Sequence, residues 1–159
     1  MARRKFVCGN WKMHKTAAEA RALAREVRAA AEAFLDRVDV AVAPPYTALA
    51  ATAAELAGSR VGLAAQDVHW EAQGAFTGEV SAPMLRDVGV SMALVGHSER
   101  RRDRREDEAS FTRKIERLQE SGIAPIYCVG ETLEERDGGR TTEILARQMG
   151  ALDAFGSVP

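Results

Sequence analysis

Cysteine is scarce in this sequence, and no stretch is apolar enough to suggest a membrane protein. The 159 residues include two cysteines, Cys8 and Cys128, each within an apolar, strand-like segment. We therefore predict buried free thiols, with a disulfide as the less favoured alternative. Because no apolar run approaches the roughly 18 residues of a transmembrane helix, no membrane partner is expected.

A large charge of one sign is also missing, and so are the common cofactor motifs. The formal net charge is −1, which argues against nucleic acid or an acidic membrane surface as the main partner. No dinucleotide-binding G-x-G-x-x-G follows the first strand, no P-loop pattern occurs, and no histidine spacing suggests a metal site. From these missing motifs we expect neither a cofactor nor a metal. The apolar stretch after the basic N-terminus is too short for a signal-peptide core, so we expect a cytoplasmic protein.

The sequence does contain a regular alternation of apolar strand patterns and amphipathic helix patterns. Strands are predicted to begin near residues 5, 38, 61, 90 and 123, and each is followed by a helix. Spacings of 33, 23, 29 and 33 residues suit consecutive βα units and hence a parallel sheet. Such a sheet is either doubly wound or closed into a barrel. A barrel is favoured because the dinucleotide motif is missing.

Local patterns predict where several helices begin and end. Thr16 stands three residues before Glu19, the spacing of a capping box. Ser81 is predicted to cap a short helix, and longer helices are predicted over residues 46–57 and 142–155. A further helix has an apolar stripe at helical spacing, formed by Phe111, Ile115 and Leu118.

A run of charged residues precedes the helix that contains Phe111, Ile115 and Leu118. Every residue from Glu99 to Glu108 is charged, with five arginines against five acids. Because the signs cancel, we predict a solvated loop that leads into a helix rather than a nucleic-acid patch.

Polar side chains follow the predicted strands, at the edge where an α/β sheet binds its ligands. The most clearly buried strand, Val90–Val95, breaks at Gly96 and is followed by His97, the histidine best placed for proton chemistry. Lys12 follows the first strand and can hold an anionic substrate as a point charge. The other polar residues at this edge are Asn10, Gln66, Asp67, Ser98, Glu99 and Glu131.

Six sequence blocks resemble the triosephosphate isomerase family, in the family's order and spacing. They extend from the first residues to near the end of the chain. The blocks are Cys8–Met13 (CGNWKM), Ala43–Pro45 (APP), Ala64–Gln66 (AAQ), Gly74–Glu79 (GAFTGE), Val95–Arg101 (VGHSERR) and Cys128–Leu133 (CVGETL). The resemblance implies a (β/α)8 TIM barrel, of which residues 1–159 would be a single incomplete domain with the first five βα units.

The resemblance also implies a role for each residue of the family's catalytic edge. Asn10 would help to bind the substrate, and Lys12 would face its phosphate and the developing oxyanion. His97 would be the electrophile on the carbonyl, with Ser98 supporting the catalytic carboxylate and Glu99 organising Lys12. The resemblance further implies the family's mechanism, in which a glutamate base works with a neutral histidine.

Other matched positions imply contacts within and between subunits. The loop 73–79 would be the arm of a homodimer, with Thr77 reaching into the neighbouring subunit's site and Gln66 and Gly78 as further dimer contacts. Cys128 would be a structural thiol beneath the site. The implied substrate is a triose phosphate, and the implied pathways are glycolysis and gluconeogenesis.

None of the residues given a role by the resemblance is the family's catalytic base. The family's glutamate follows the sixth strand of the barrel, whereas five strands are predicted here. Glu99 and Glu131 are the acids that could stand in for it. A structural role is favoured for both, because a base must lie within hydrogen-bond reach of the substrate carbon.

Three functional hypotheses remain open. The first is a triosephosphate isomerase represented by an incomplete chain that is inactive alone. The second is a non-catalytic barrel fragment that assembles with a separate C-terminal part or another copy, and the third is a different phosphosugar isomerase with a relocated base. An open five-stranded sheet would expose two edges and apolar barrel-lining side chains, so we expect the isolated chain to self-associate or to be poorly stable.

Overall fold

The computed structural model describes residues 4–155 and has a five-stranded parallel sheet at its centre. The strands lie in chain order and curl into an open half-barrel, which confirms the predicted barrel type. Their bounds are β1 Lys5–Asn10, β2 Val38–Ala43, β3 Gly62–Ala65, β4 Met92–Val95 and β5 Ala124–Tyr127. Because all five are parallel, their C-terminal ends meet at one edge of the sheet.

Helices connect successive strands, as the βα spacing predicted. They are α1 Ala17–Ala31, α2 Leu49–Leu56, α3 Ala82–Asp87, α4 Ser98–Arg104, α5 Glu108–Glu120, α6 Leu133–Asp137 and α7 Thr141–Met149. The predicted capping box is present at α1, where the side chains of Thr16 and Glu19 each accept a hydrogen bond from the other residue's backbone. No helix among residues 4–155 is long and apolar enough to cross a membrane.

Several predicted elements are interrupted or shorter in the structure. The predicted helix at 46–57 begins as a 3-10 turn, Tyr46–Ala48, and the predicted last helix ends at Met149, where a second 3-10 turn follows. Ser81 precedes α3 as expected, but its buried hydroxyl makes no hydrogen bond and so does not cap the helix. Arg3, one of the basic residues on which the targeting prediction rested, lies outside the described residues.

Successive side chains along a strand face opposite sides of the sheet, which produces two apolar regions. The outer face packs against the helices and forms the main core, which includes the predicted stripe of α5, Phe111, Ile115 and Leu118. The inner face, which lines the half-barrel, holds three buried and four partly buried residues: Ala43, Ala64, Leu94, Cys8, Met92, Ile126 and Cys128.

The two cysteines are free thiols on this inner face, which confirms the prediction against a disulfide. Both are half-buried, and burial raises the pKa of the Cys8 and Cys128 thiols. They are therefore protonated packing residues at neutral pH.

The prediction of a solvated loop from Glu99 to Glu108 is wrong. Ser98–Arg104 forms helix α4, and two members of the charged run enter a buried ionic network. The ammonium of Lys114 on α5 lies 2.7 Å from Asp67 and 2.9 Å from Glu106, and Arg100 lies 2.7 Å from Asp67 and also pairs with Glu106. The physical reason is that Asp67 and Lys114 are brought inside by β3 and α5, where a buried charge needs close partners.

Candidate active site

The turn after β1 is held by hydrogen bonds from two directions. The Asn10 side-chain oxygen accepts a hydrogen bond from the Lys12 backbone N–H at 2.9 Å. The Gln66 amide donates to the carbonyls of Lys12 at 2.8 Å and Ala43 at 2.9 Å. Lys12 has φ 53°, a left-handed conformation that is costly for a lysine and persists where the surroundings enforce it.

Lys12, which follows β1, pairs with Glu99 on α4. Its ammonium donates to a Glu99 carboxylate oxygen at 2.8 Å, and about half of each side chain is open to solvent. This hydrogen bond holds the pKa of Glu99 below its ordinary value. Glu99 is therefore an anion at neutral pH.

His97 is the N-cap residue of α4 and makes the second contact of this cluster. Its ring Nδ1 accepts a hydrogen bond from the Glu99 backbone N–H at 3.2 Å and lies 3.5 Å from the Glu99 carboxylate. A neutral ring with an accepting Nδ1 carries its proton on Nε2. Nε2 makes no hydrogen bond with residues 4–155, so its N–H can donate to a ligand.

Glu99 thus contacts both the Lys12 ammonium, which follows β1, and the His97 imidazole, which follows β4. All three lie at the C-terminal edge of the half-barrel. An ammonium and an imidazole N–H in one site can stabilise negative charge on the oxygens of a bound carbonyl compound. No group of three or more possible metal ligands occurs in the described part of the chain.

Two other predicted residues lie at the same edge. Ser98 is exposed at the first position of α4. Cys128 follows β5, and its backbone N–H donates to the Val95 carbonyl at 2.8 Å while its thiol faces the Ile126 carbonyl at 3.8 Å. Cys128 therefore lies at the end of β5, beside the end of β4 that precedes His97.

The predicted dimer arm is an exposed loop with a fixed base. At the base, the His69 backbone N–H donates to the Val80 carbonyl at 2.9 Å, and the His69 ring lies 4.3 Å from that of Phe76. Thr77 and Gly78 are exposed at the tip. Gln66 differs from them, because its amide is engaged within the chain.

Glu131 takes part in ionic and hydrogen-bonding contacts of its own. Its carboxylate accepts hydrogen bonds from Arg136 at 2.7 Å and Thr141 at 3.3 Å. A backbone hydrogen bond and the Arg136 contact hold the pKa of Glu131 below its ordinary value.

The sequence patterns do not predict the contacts of Arg101, the last residue of the block Val95–Arg101. Its guanidinium donates to the carbonyl of Gly96, the residue directly before His97, at 2.8 Å. The spacing gives one clue, because Arg101 follows His97 by one helical turn and can therefore lie on the same side of a helix. Its contacts across to β5 depend on tertiary structure.

Comparison with known proteins agrees with this geometry. A family model described as triosephosphate isomerase matches residues 5–157. The triosephosphate isomerase of Syntrophotalea carbinolica is 48% identical over 147 residues, and that of Moorella thermoacetica is 46% identical over 147 residues. Each of these alignments covers 92% of this chain and 58% of the relative.

A solved structure has the same fold. The crystal structure of triosephosphate isomerase from Bartonella henselae superimposes with a TM-score of 0.87 and 34% identity, covering 93% of this chain and 61% of that chain. This chain thus spans about three fifths of the length of the relatives that it matches. From the family model, the identities and the shared fold, the chain belongs to the triosephosphate isomerase family.

Proposed function

We propose that this chain carries the cation and the electrophile of a triosephosphate isomerase, which interconverts dihydroxyacetone phosphate and D-glyceraldehyde 3-phosphate through an enediolate. The observation that carries the proposal is the Lys12–Glu99–His97 cluster at the C-terminal edge of the half-barrel. Active sites of (β/α)8 barrels lie at this edge.

The chemistry fits the groups that are present. Isomerisation removes a proton from the carbon beside the carbonyl and returns it to the neighbouring carbon, so negative charge develops on the substrate oxygens. The Lys12 ammonium and the Nε2–H of His97 stabilise that charge. The Asn10 amide nitrogen supplies a further donor, because its oxygen is engaged with the Lys12 backbone.

Neither of the two candidate acids, Glu99 and Glu131, is a suitable base. Glu99 is engaged with Lys12 and with the His97 turn, and Glu131 with Arg136 and Thr141. The base therefore comes from residues that complete the barrel, and we expect this chain alone to lack isomerase activity.

Exposed apolar side chains mark where completing elements would pack. β1 and β5 are the edge strands of the sheet, and large apolar side chains beside them are open to solvent: Val7 (57%), Val129 (42%), Leu133 (73%) and Met149 (46%). These surfaces also support the alternative function, a non-catalytic assembly module that binds a C-terminal complement.

The decisive experiment supplies that complement in trans. Isomerase activity is measured for this chain alone and with the unmatched C-terminal part of the Syntrophotalea carbinolica relative. We expect activity only in the mixture, and its loss in Lys12→Met. The matched control is Lys5→Met, which removes a lysine from the opposite end of β1.

Each outcome separates the hypotheses. Activity of this chain alone would contradict the inference that the base is supplied by other residues. A stable complex without activity would favour the assembly module.

The same proposal includes a homodimer in the cytoplasm with a role in glycolysis and gluconeogenesis. The exposed arm that carries Thr77 and Gly78 supports the dimer, because its fixed base can present the tip to a second subunit. In this arrangement Ser98 supports the incoming carboxylate, and Gln66 acts through the backbone of Lys12.

A further inference from the structure

The guanidinium of Arg101 turns inward from α4 and joins the ends of two strands. Its Nε donates to the Gly96 carbonyl at 2.8 Å. Its Nη2 donates to the Tyr127 hydroxyl at 3.1 Å and the Cys128 carbonyl at 3.3 Å, both at the end of β5. The remaining nitrogen, Nη1, pairs with Glu108 at 2.7 Å.

Packing restricts the guanidinium to this position. It lies 4.5 Å from the centre of the Phe111 ring and 5.7 Å from that of Tyr127, and the side chain is 18% exposed. A planar fork with fixed donor directions holds several acceptors at once, which a lysine ammonium cannot reproduce.

Further hydrogen bonds connect Tyr127 to the loop after β5. The Tyr127 hydroxyl donates to the Gln148 carbonyl at 2.9 Å. The Gln148 side chain then donates to the Gly130 carbonyl at 3.0 Å and accepts from the Gly130 N–H at 2.8 Å. The backbone directly before His97 is thereby tied to the β5 end and to its loop.

We propose that Arg101 is a positioning residue for His97. By fixing the Gly96 carbonyl against the end of β5, it sets the direction of the imidazole and keeps Nδ1 within reach of the Glu99 N–H. Its effect on turnover rests on the proposed isomerase function. Its effect on the His97 ring is independent of turnover and can be measured on this chain.

The test is NMR of the imidazole nitrogens in the isotope-labelled chain. In Arg101→Lys we expect the His97 ring to change from one tautomer, protonated at Nε2, to a mixture, while His14 and His69 stay unchanged. Arg102→Lys is the matched control, because Arg102 is exposed and pairs only with Asp103 among its described contacts. In the complemented enzyme, Arg101→Lys should lower kcat by about 10- to 100-fold, with little change in KM.

A milder variant covers the case in which Arg101→Lys does not fold. Tyr127→Phe removes one acceptor of the guanidinium, and Tyr46→Phe removes the hydroxyl of the other tyrosine as its control. We expect a smaller tautomer change in Tyr127→Phe and none in Tyr46→Phe. An unchanged His97 ring in the folded variants would overturn the positioning role. A changed ring in Arg101→Lys, together with an inactive wild-type complex, would contradict only the isomerase function.

Discussion

At the residue scale, the turn into the site depends on a glycine before His97. Gly96 has φ 76°, and a Cβ placed there would lie 3.0 Å from the Arg101 guanidinium, 3.0 Å from the Tyr127 ring and 3.1 Å from the Cys128 carbonyl. The backbone conformation and the limited space therefore both require glycine.

Gly96→Ala should destabilise the chain by about 1–3 kcal/mol, the cost of a non-glycine residue in a strained conformation. Gly58→Ala is the control, because Gly58 has φ 73° but nothing within 4 Å of its Cβ position. Urea unfolding should show a larger loss for Gly96→Ala. Equal losses of stability in the two variants would contradict a steric contribution from Arg101, Tyr127 and Cys128.

The Lys12–Glu99 pair should depend on pH in a defined direction. Lys12 lowers the pKa of Glu99 below its ordinary value of 4.5, so the pair is complete above that value and is lost as the pH falls through the lowered pKa. Carbonyl NMR of the Glu99 side chain should show titration below 4.5, and Lys12→Met should return it to the ordinary range. Titration at or above the ordinary value would contradict the pairing.

At the element scale, ionic contacts connect α4 and α5 to the end of β3. Lys114 is 1% exposed and contacts both Asp67 and Glu106. Burial raises the pKa of Glu106, but the hydrogen bonds from Arg100 and Lys114 outweigh it and hold that pKa below its ordinary value. Arg100 and Glu106, two members of the charged run, are thus held in place by charges from distant segments.

Lys114→Met should destabilise the fold by about 3–5 kcal/mol, because it leaves buried carboxylates without one of their cations. Arg113→Met is the control, since Arg113 is the adjacent residue on α5 and is exposed, with its guanidinium over the Trp70 ring. Chemical denaturation should show a small effect for the control. Similar effects of the two substitutions would contradict a buried network with this energetic weight.

At the scale of the whole molecule, the half-barrel formed by residues 4–155 ends at β1 on one side and at β5 on the other, and neither strand has a second neighbour among these residues. Val7 and Leu133 are exposed large apolar residues near opposite edges. Such surfaces promote association unless another segment covers them.

The isolated chain should therefore self-associate in sedimentation experiments. A Val7→Lys and Leu133→Lys double variant should shift it towards monomer. The charge at Val7 disfavours pairing along the β1 edge, and the charge at Leu133 on α6 removes an exposed apolar contact. Ala29→Lys on the exposed surface of α1 controls for added charge. A monodisperse wild-type monomer with cooperative unfolding would contradict the expectation.

The sequence by itself determined the order of strands and helices and the position of His97 after β4. These features depend on local information: apolar periodicity, the Thr16–Glu19 capping box, and glycines that end elements. The matched blocks also placed Asn10, Lys12 and Glu99 at one edge, because parallel strands bring their C-terminal ends together.

Only the tertiary structure decided which of these groups touch. Lys12 and Glu99 are 87 residues apart, and Lys114 and Asp67 are 47 apart. The contacts of Arg101 with β5 likewise depend on how α4 packs over the sheet. Local patterns cannot show this, because the partner of a charged side chain is set by the packing of distant segments and by the energetic need to pair charges that become buried.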